Sequence, residues 1–404
     1  MATYAVGSGK AYTTIQSAID ACGAANDVDG LIPVDFGTYT ENLNLKKHPS
    51  GYCMPVNIYA ADSTNRPTIV SAVGSYAILS DVATHAATAG TRQPTFTNII
   101  WSGGSAATYF NYSNGGAPMK FIGCDFVNIN LQMFYQPYGG TGATYRWLLD
   151  KCYFNNTNQL VFTIAGFGLI RNCRVNWSKN GTTMIQAGDA GWLAYNNSVA
   201  TTANGGTLFI VGQAKNNAIK VVSSTPTKFF DVVTSYAYNV TSTSLAGTGT
   251  NGGGNVVGEP GFISSSAGDF SFATSSACYN AGTTLSDVTG DYLGTARPQA
   301  TTYDVGAYEY INLVYSGWTT GSGESYVKVT SNFTINRYLN LSGTYTMRSG
   351  LNASNGLTTV RQVPFSAGSL GPISLRGRTR VYIVTPEGHN PYTQAGTPPS
   401  QSVS

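Results

Sequence analysis

The sequence predicts an all-β fold: a right-handed parallel β-helix (solenoid) with an N-terminal capping helix, followed by a small C-terminal β unit and an extended tail. Three observations support this prediction: a segment that repeats at intervals of 21 to 28 residues, short apolar runs between turn residues, and only one stretch of helical periodicity. A solenoid grows in one direction, so a chain of 404 residues need not divide into domains of ordinary size. We place the β-helix in residues 1–311, the β unit in 312–385 and the tail in 386–404.

The stretch of helical periodicity is TTIQSAIDACGAA, near the N-terminus. Its apolar stripe consists of Ile15, Ala18, Ile19 and Cys22. Thr13 or Thr14 stands where the residue that caps a helix N-terminus is expected. From Leu31 onward the pattern changes to short apolar runs between Gly, Asn, Asp and Ser clusters, which indicates strands. We expect the helix to cover the open N-terminal end of the solenoid.

The repeat aligns the segments KFIGCDFVN, WLLDKCYFNN, GLIRNCRVNW and WLAYNNSVA. The central aligned column consists of Cys124, Cys152, Cys173 and Asn197. The columns three positions before it and two positions after it are mostly apolar, so we expect all three to stack inside the solenoid. The column immediately before it consists of Gly123, Lys151, Asn172 and Asn196. Because Gly and Asn tolerate left-handed backbone angles, this column predicts a bend between two strands, with Lys151 as the exception.

The composition indicates a neutral, polar surface. Charged residues make up 10% of the chain, with 22 basic and 19 acidic residues and a net charge of +3. An average soluble protein has about 25% charged residues, so Gly, Ser, Thr, Asn and Tyr supply most of the surface polarity here. This balance argues against a nucleic-acid-binding protein, which needs a strongly basic face. It is typical of extracellular or virion β-proteins, whose turns and outer faces use these residues.

The sequence also gives no sign of a membrane segment, a metal site or a cofactor. It contains no run of about 20 apolar residues. The first residues, MATYAVGSGKAYTT, lack the charged start and apolar core of a signal peptide, so we expect no export by the general secretory route. The six cysteines form no CxxC pair and the chain has three histidines, so we expect buried thiols and no metal.

Two segments resemble a known family. DFGTYTENLNL, residues 35–45, resembles the first-coil motif of pectate-lyase-like β-helix proteins, in which a Gly-x-Tyr-x-Glu sequence follows the capping helix. Residues 259–310 are similar to the closing segment of many parallel β-helix repeat proteins. The matching positions are Asp291, Gly294, Arg297, Pro298, Asp304, Gly306, Ala307, Tyr308 and Glu309. The resemblance implies the fold but leaves the function open, because such proteins include polysaccharide lyases, glycoside hydrolases, bacterial surface proteins, and phage spikes and decoration proteins.

The C-terminal region differs from the β-helix in pattern and in charge. Alternation after Tyr310 suggests a small antiparallel β unit. Residues 312–404 hold 7 basic and 2 acidic residues, a charge of +5, which leaves 15 − 17 = −2 for the rest. Arg376, Arg378 and Arg380 would share one face of a strand, either as a solvated edge or as a docking face for an acidic partner. The tail is too polar to order itself, so we expect it to lie along a neighbouring subunit or partner.

Carboxylates are sparse where a catalytic groove would lie. Residues 90–250 contain Asp125, Asp150, Asp189 and Asp231. The repeat puts Asp150 and Arg171 in one outward column, which predicts an ion pair between coils about 4.8 Å apart. It puts Asp125, Tyr153 and Arg174 in another, which is either a structural column or a strip that contacts sugars. For an enzyme, the catalytic candidates are Asp125, Asp150, Lys151 and Arg171.

Tyrosines are the candidates for carbohydrate contact, because aromatic rings on an outer face can stack against sugars. They are Tyr109, Tyr112, Tyr135, Tyr138 and Tyr153. Tyrosine is equally an ordinary residue of exposed strands, so both interpretations remain open.

Three functions remain open from the sequence. The leading hypothesis is a non-enzymatic structural protein of a phage virion, a capsid decoration protein or a short head fibre or spike, which docks on capsid or tail proteins through its C-terminal region. Similar β-helix spikes imply a homotrimer, and a host surface glycan would be a further partner. The alternatives are a polysaccharide lyase or glycoside hydrolase of the tailspike depolymerase type, and a bacterial surface carbohydrate-binding protein.

Overall fold

The computed structural model describes a parallel β-solenoid and a set of antiparallel strands. The described residues of the solenoid are 2–45, 54–72, 76–79, 93–103, 109–112, 118–129, 132–136, 147–155, 159–164, 167–181, 183–186, 191–223, 226–244, 247–272 and 275–310. Six further strands between residues 315 and 384 are described by their backbone. Within these residues, no helix is long and apolar enough to cross a membrane.

The solenoid begins with an α-helix, α1 (Ile15–Ala24), and a 3₁₀ turn (Ser265–Ala267) follows its last strand. Its first strands are β1 (Leu31–Val34), β2 (Thr38–Thr40), β3 (Leu43–Asn44), β4 (Asn57–Ala60), β5 (Thr68–Val70), β6 (Tyr76–Leu79), β7 (Thr95–Thr97), β8 (Ile100–Ser102), β9 (Tyr109–Tyr112), β10 (Lys120–Ile122), β11 (Asp125–Val127), β12 (Gln132–Gln136), β13 (Trp147–Asp150), β14 (Tyr153–Asn155) and β15 (Gln159–Ile164). Its remaining strands are β16 (Gly168–Arg171), β17 (Arg174–Trp177), β18 (Thr183–Gln186), β19 (Trp192–Tyr195), β20 (Ser198–Thr201), β21 (Thr207–Ile210), β22 (Gln213–Lys215), β23 (Ala218–Val221), β24 (Lys228–Ala237), β25 (Val240–Thr241), β26 (Gly247–Asn251) and β27 (Val256–Val257).

Successive coils contribute strands to three parallel sheets. The first sheet runs β1-β4-β7-β10-β13-β16-β19-β22-β24, the second runs β2-β5-β8-β11-β14-β17-β20-β23-β25-β27, and the third runs β3-β6-β9-β12-β15. The long strand β24 pairs with β21 near its start and with β22 near its end, so β21 and β18 join the first sheet through it. The prediction of a parallel β-helix with an N-terminal helix is confirmed.

The inward columns predicted from the repeat form the core. In the first sheet, the column consists of Phe96, Phe121, Leu149, Ile170 and Ala194, which are register partners and fully buried. In the second sheet, it consists of Trp101, Phe126, Phe154, Val175 and Val199. The rings of Phe96 and Phe121 stack with centroids 5.0 Å apart, and those of Phe126 and Phe154 with centroids 4.9 Å apart. Because like residues stack on like, each coil completes its core only through its neighbours.

The predicted bend between the first and second sheets is a left-handed residue in successive coils. Asn98, Gly123, Lys151, Asn172, Asn196, Asn216 and Tyr238 all have φ between 50° and 63°. Lys151 and Tyr238 adopt this conformation although neither is Gly or Asn, at a cost of roughly 1–2 kcal/mol each that the surrounding pairing must offset. At Gly123, a Cβ would lie 2.4 Å from Asn98 Oδ1, so the Asn98 side chain would have to move to admit one.

From Cys124 onward, the residue after the bend forms a polar ladder between coils. The ladder consists of Cys124, Cys152, Cys173, Asn197, Asn217, Asn239 and Asn255. Each thiol or amide donates to a main-chain carbonyl of the preceding coil, as Asn217 Nδ2 does to Ala194 O at 2.9 Å. Asn217 Oδ1 in turn accepts from the main-chain N–H of Asn197 at 3.1 Å. Buried polar groups favour a structure only when their bonds are complete, so the ladder fixes the register of one coil on the next.

Helix α1 packs on β1 and β3, and its buried stripe is the predicted one. Thr14 is the N-cap, because its Oγ1 accepts from the N–H of Ser17 at 3.1 Å. Glu41, the last residue of the Gly-x-Tyr-x-Glu motif, accepts from the N–H groups of Ile15 at 2.9 Å and Gln16 at 2.8 Å. A carboxylate at a helix N-terminus accepts hydrogen bonds from free N–H groups and interacts favourably with the positive end of the helix dipole. The motif therefore anchors the capping helix to the first coil.

A second set of strands follows the solenoid. They are β28 (Tyr315–Gly321), β29 (Glu324–Ser331), β30 (Ile335–Leu341), β31 (Thr346–Gly350), β32 (Gly368–Leu375) and β33 (Thr379–Val384). β28-β29-β33-β31 form one sheet and β30-β32 another, and the strands of both are antiparallel, as predicted for this region. The boundaries at 312–385 and 386–404 stay predictions. Arg376, Arg378, the side chain of Arg380 and the tail lie outside the described residues.

We expect Asn217→Ala to destabilise the solenoid by about 3 kcal/mol, because it removes ladder partners from Asn197, Asn239 and the Ala194 carbonyl. The free energy of unfolding by urea, followed by circular dichroism, measures this loss. Asn204→Ala, in an exposed turn, is the matched control and should change stability by less than about 0.5 kcal/mol. Equal losses for the two variants would contradict the role of the ladder.

Candidate functional site

The closing segment, residues 259–310, lies against the outer side of the bend between the first and second sheets. The side chains of three bend residues hold it: Asn172 Nδ2 donates to Gly290 O at 2.9 Å, Asn196 Nδ2 to Asp304 O at 3.0 Å, and Asn216 Nδ2 to Thr283 O at 2.7 Å. The segment donates in return, with Ala307 N–H bound to Ser198 Oγ at 2.9 Å. The bend residues thus turn the chain and also anchor this segment along the flank of the solenoid.

Asp150 and Arg171 form the predicted ion pair beneath the closing segment. They are register partners on β13 and β16, and Arg171 Nη2 lies 2.7 Å from Asp150 Oδ2. Asp150 is 6% exposed, and its Oδ1 accepts from Asn172 Nδ2 at 3.4 Å. Arg171 also donates to the main-chain carbonyl of Asp287 in the closing segment. Both side chains are therefore engaged in holding coils and closing segment together.

The other two catalytic candidates lie along the same flank. Arg66, from the loop between β4 and β5, donates to Asp125 Oδ2 at 2.8 Å and to the Gly123 carbonyl at 3.0 Å. Lys151 Nζ lies next to Gly294 of the closing segment, 3.7 Å from where a Cβ of that glycine would be. Each of the two carboxylates, Asp125 and Asp150, is thus paired with its own arginine.

Tyr153 and Arg174 belong to an aromatic stack that the closing segment completes. The Arg174 guanidinium lies 4.5 Å from the ring centroid of Tyr153 and 3.9 Å from that of Tyr292. It donates to Gly268 O at 2.6 Å and to the Tyr292 hydroxyl. Burial raises the pKa of Tyr292 to about 12, so the phenol stays neutral. Because a desolvated cation between two rings is a stabilising arrangement, this column helps to hold the closing segment on the solenoid.

The remaining predicted tyrosines concern the third sheet. Tyr109 and Tyr112 lie in β9 and Tyr135 lies in β12, where the register pairs Tyr112 with Tyr135 and Tyr109 with Tyr76. The side chains of Tyr109, Tyr112 and Tyr135, and all of Tyr138, lie outside the described residues. Carbohydrate contact at these positions stays a prediction.

A groove of about 490 Å³ opens on the outer face of the second sheet. Its floor consists of register partners on four successive strands: Asn155, Asn176, Ala200 and Lys220. One wall is residues 262–266 of the closing segment, and the other consists of Ser178, Thr202 and Val222, which follow three of these strands. Since neighbouring strands are about 4.8 Å apart, the floor extends about 14 Å across the strands, along the solenoid axis.

The groove offers amides, hydroxyls and one ammonium group. Lys220 is the one charged side chain among the described residues that line it, and these include no carboxylate. Val222 and Ile263 are 53% and 47% exposed at its edges. Such a lining can bind an extended polar ligand, but it lacks the pair of carboxylates that glycoside hydrolysis ordinarily requires. This groove lies outside the sites predicted from the sequence, although its floor is the column three positions after the central column of the repeat.

The motif residues of the closing segment form a buried polar cluster. Arg297 Nη1 lies 2.8 Å from Glu309 Oε2, and the two side chains are 0% and 1% exposed. Glu309 also accepts from the N–H groups of Gln299 at 2.9 Å and Asp304 at 3.1 Å, while Asp291 accepts from the Glu309 N–H at 3.0 Å. Burial raises the pKa of Glu309 from 4.5 to about 7, although the charge of Arg297 opposes this rise. The residues that carry the family resemblance therefore fold the closing segment on itself.

Comparisons with known proteins concern the fold. No protein-family model matches the sequence, and no curated protein matches it. The structure is similar to a pectin methylesterase from Aspergillus niger, with a TM-score of 0.35 and 16% identity over 63% of this chain and 83% of that chain. It is also similar to pectate lyase Pel9A, with a TM-score of 0.39 and 13% identity over 77% of this chain and 98% of that chain. Likeness at this level says nothing about the activity of this chain.

We expect the stability of the protein to fall as the pH rises from about 4.5 to about 7. Because the pKa of Glu309 is higher in the folded state than its ordinary value, the folded protein keeps a proton that the unfolded chain has released across this window. The bound proton therefore contributes at most about 3 kcal/mol to the free energy of unfolding. This stabilisation is fully present below pH 4.5 and is lost as the pH rises past about 7. Urea unfolding at successive pH values measures it.

Glu309→Gln should flatten this pH dependence, because it removes the titrating group. Glu259→Gln, at an exposed position of the same segment, is the control and should leave the dependence unchanged. A wild-type stability that rises steadily between pH 5 and pH 7 would contradict the role assigned to Glu309.

Proposed function

We propose that this chain is a non-enzymatic structural protein of a phage virion, a capsid decoration protein or a short head fibre or spike. One observation carries the proposal: the two aspartates and three of the arginines on the solenoid flank are bound to one another or to the closing segment. Asp150 is paired with Arg171, Asp125 is paired with Arg66, and the aromatic stack encloses Arg174. A flank of this kind belongs to a stiff rod, hydrogen-bonded from coil to coil, that presents a neutral polar surface.

Attachment to the particle is assigned in this proposal to residues 312–404. This region carries a charge of +5, against −2 for the rest of the chain. Charge complementarity with an acidic partner would speed docking and fix its orientation. The homotrimer implied by similar spikes is part of the same proposal, and sedimentation of the purified chain tests it, since a monomer at micromolar concentration would contradict it.

The competing proposal is a polysaccharide-degrading enzyme that uses Asp125, Asp150, Lys151 and Arg171. Acid–base catalysis needs a carboxyl group that can take up or give a proton to a bound substrate. Both oxygens of Asp150 instead accept hydrogen bonds, from Arg171 and from Asn172. A bacterial surface carbohydrate-binding protein would differ from the leading proposal mainly in its location.

We expect the wild-type chain to release neither reducing ends nor unsaturated sugars from capsular and cell-wall polysaccharides. Asp150→Asn should instead lower stability by about 3 kcal/mol, because it leaves Arg171 without its partner at a buried site. Asp231→Asn removes an exposed partner of Lys228 and should cost less than about 1 kcal/mol, which makes it the matched control. Sugar release by the wild type that disappears in Asp150→Asn would establish the enzyme instead.

Docking can be tested on particles that lack the chain. We expect replacement of Arg376, Arg378 and Arg380 by Glu to reduce binding to such particles at least tenfold, because it reverses the charge of the proposed docking face. Replacement of Lys10, Lys179 and Lys215 by Glu makes the same change in net charge within the β-helix and should leave docking intact. Equal binding by the two triple variants, measured by co-sedimentation, would contradict docking through the C-terminal region.

A further inference from the structure

We propose that the groove on the second sheet is a binding site for an acidic oligosaccharide, with Lys220 contacting an anionic group of the sugar. This inference goes beyond the structural function proposed above and does not depend on it. The site is distinct from the flank that carries Asp125, Asp150 and Arg171, and from the tyrosines of the third sheet.

The groove is built by two distant parts of the chain that are fixed to each other. Asn176, in the floor, donates from Nδ2 to the Ser265 carbonyl in the wall at 2.8 Å. The same amide donates to the Tyr153 hydroxyl at 3.0 Å, which ties the floor to the aromatic stack. A site whose floor and wall are held in this way binds a ligand without a large cost of ordering.

The charge of the groove selects an anion. In the described part of the chain, the ion pairs do not include Lys220, and no carboxylate lines the groove beside it. A half-buried ammonium at one end of a polar floor is complemented by a carboxylate or sulfate group of the ligand. Along the rest of the floor, Asn176 lies two strands from Lys220 and Asn155 lies three strands from it, and the amide of Asn155 extends the polar lining.

The hydrogen-bonding groups of the groove suit a sugar better than a peptide. The main-chain groups of the second sheet are already used between coils, as Ala218 N–H to Asn197 O at 2.8 Å and Thr202 N–H to Trp177 O at 3.0 Å show. The groove crosses the strands and contains no sheet edge, so a peptide could not add a strand there. The Asn155 amide and the hydroxyls of the walls remain, which match sugar hydroxyls, and Val222 and Ile263 offer apolar contact to the C–H faces of sugar rings.

The test uses the purified full chain and isothermal titration calorimetry. The probes are oligosaccharides of polygalacturonate, alginate, hyaluronate and chondroitin sulfate, with neutral dextran oligomers and poly-glutamate for comparison. We expect at least one acidic glycan to bind, and added salt and Lys220→Gln to weaken that binding at least tenfold.

Thr202→Trp, at an exposed wall position, should obstruct the groove with a similar loss of affinity. Lys215→Gln, on the first sheet, should leave the affinity unchanged, and circular dichroism confirms that each variant is folded.

Three results would overturn the proposal: no acidic glycan binds at millimolar concentration, binding survives Lys220→Gln and Thr202→Trp together, or poly-glutamate binds as tightly as the best glycan. The last result would identify the ligand as an acidic protein segment. The same experiment distinguishes the groove proposal from the proposed structural function. Cleavage of a bound glycan would support the groove and contradict the non-enzymatic role, whereas absence of binding would refute the groove alone.

Discussion

From Cys124 onward, the solenoid depends on the hydrogen bond that the residue after the left-handed bend makes to the preceding coil. Cys124, Cys152 and Cys173 make this bond through a thiol, and the later coils make it through an asparagine amide. The asparagines add bonds to one another and so form a continuous buried ladder. This ladder sets the register that brings the aromatic rings of the core into stacks. Without it, adjacent coils could slip and lose both the stacked rings and the sheet pairing.

The bend residues themselves point outward, and their side chains determine which part of the flank is covered. Asn172, Asn196 and Asn216 hold the closing segment, and that segment covers the charged positions beneath it. Arg171 and Arg174 bind carbonyl groups of the segment, so the closing segment and these charged positions hold each other in place.

Much of this architecture is predictable from the repeat, because stacked positions must share size and polarity. The inward columns, the left-handed bends and the Asp150–Arg171 pair all follow from aligning Cys124, Cys152, Cys173 and Asn197. The path of the closing segment does not follow from it, since its contacts join residues about a hundred positions apart and carry no periodicity. The groove combines a predictable part with an unpredictable one. Its floor is a column of the aligned repeat, whereas its wall at residues 262–266 depends on the path of the closing segment.

Cryo-electron microscopy of the native assembly tests most directly whether the chain is a structural component of a phage particle. We predict a stack of coils that projects from the particle, with residues 312–404 at its base and helix α1 at its outer end. Particles that lack the chain altogether, or that hold it by the α1 end with the C-terminal region exposed, would contradict this role and the docking surface assigned to it.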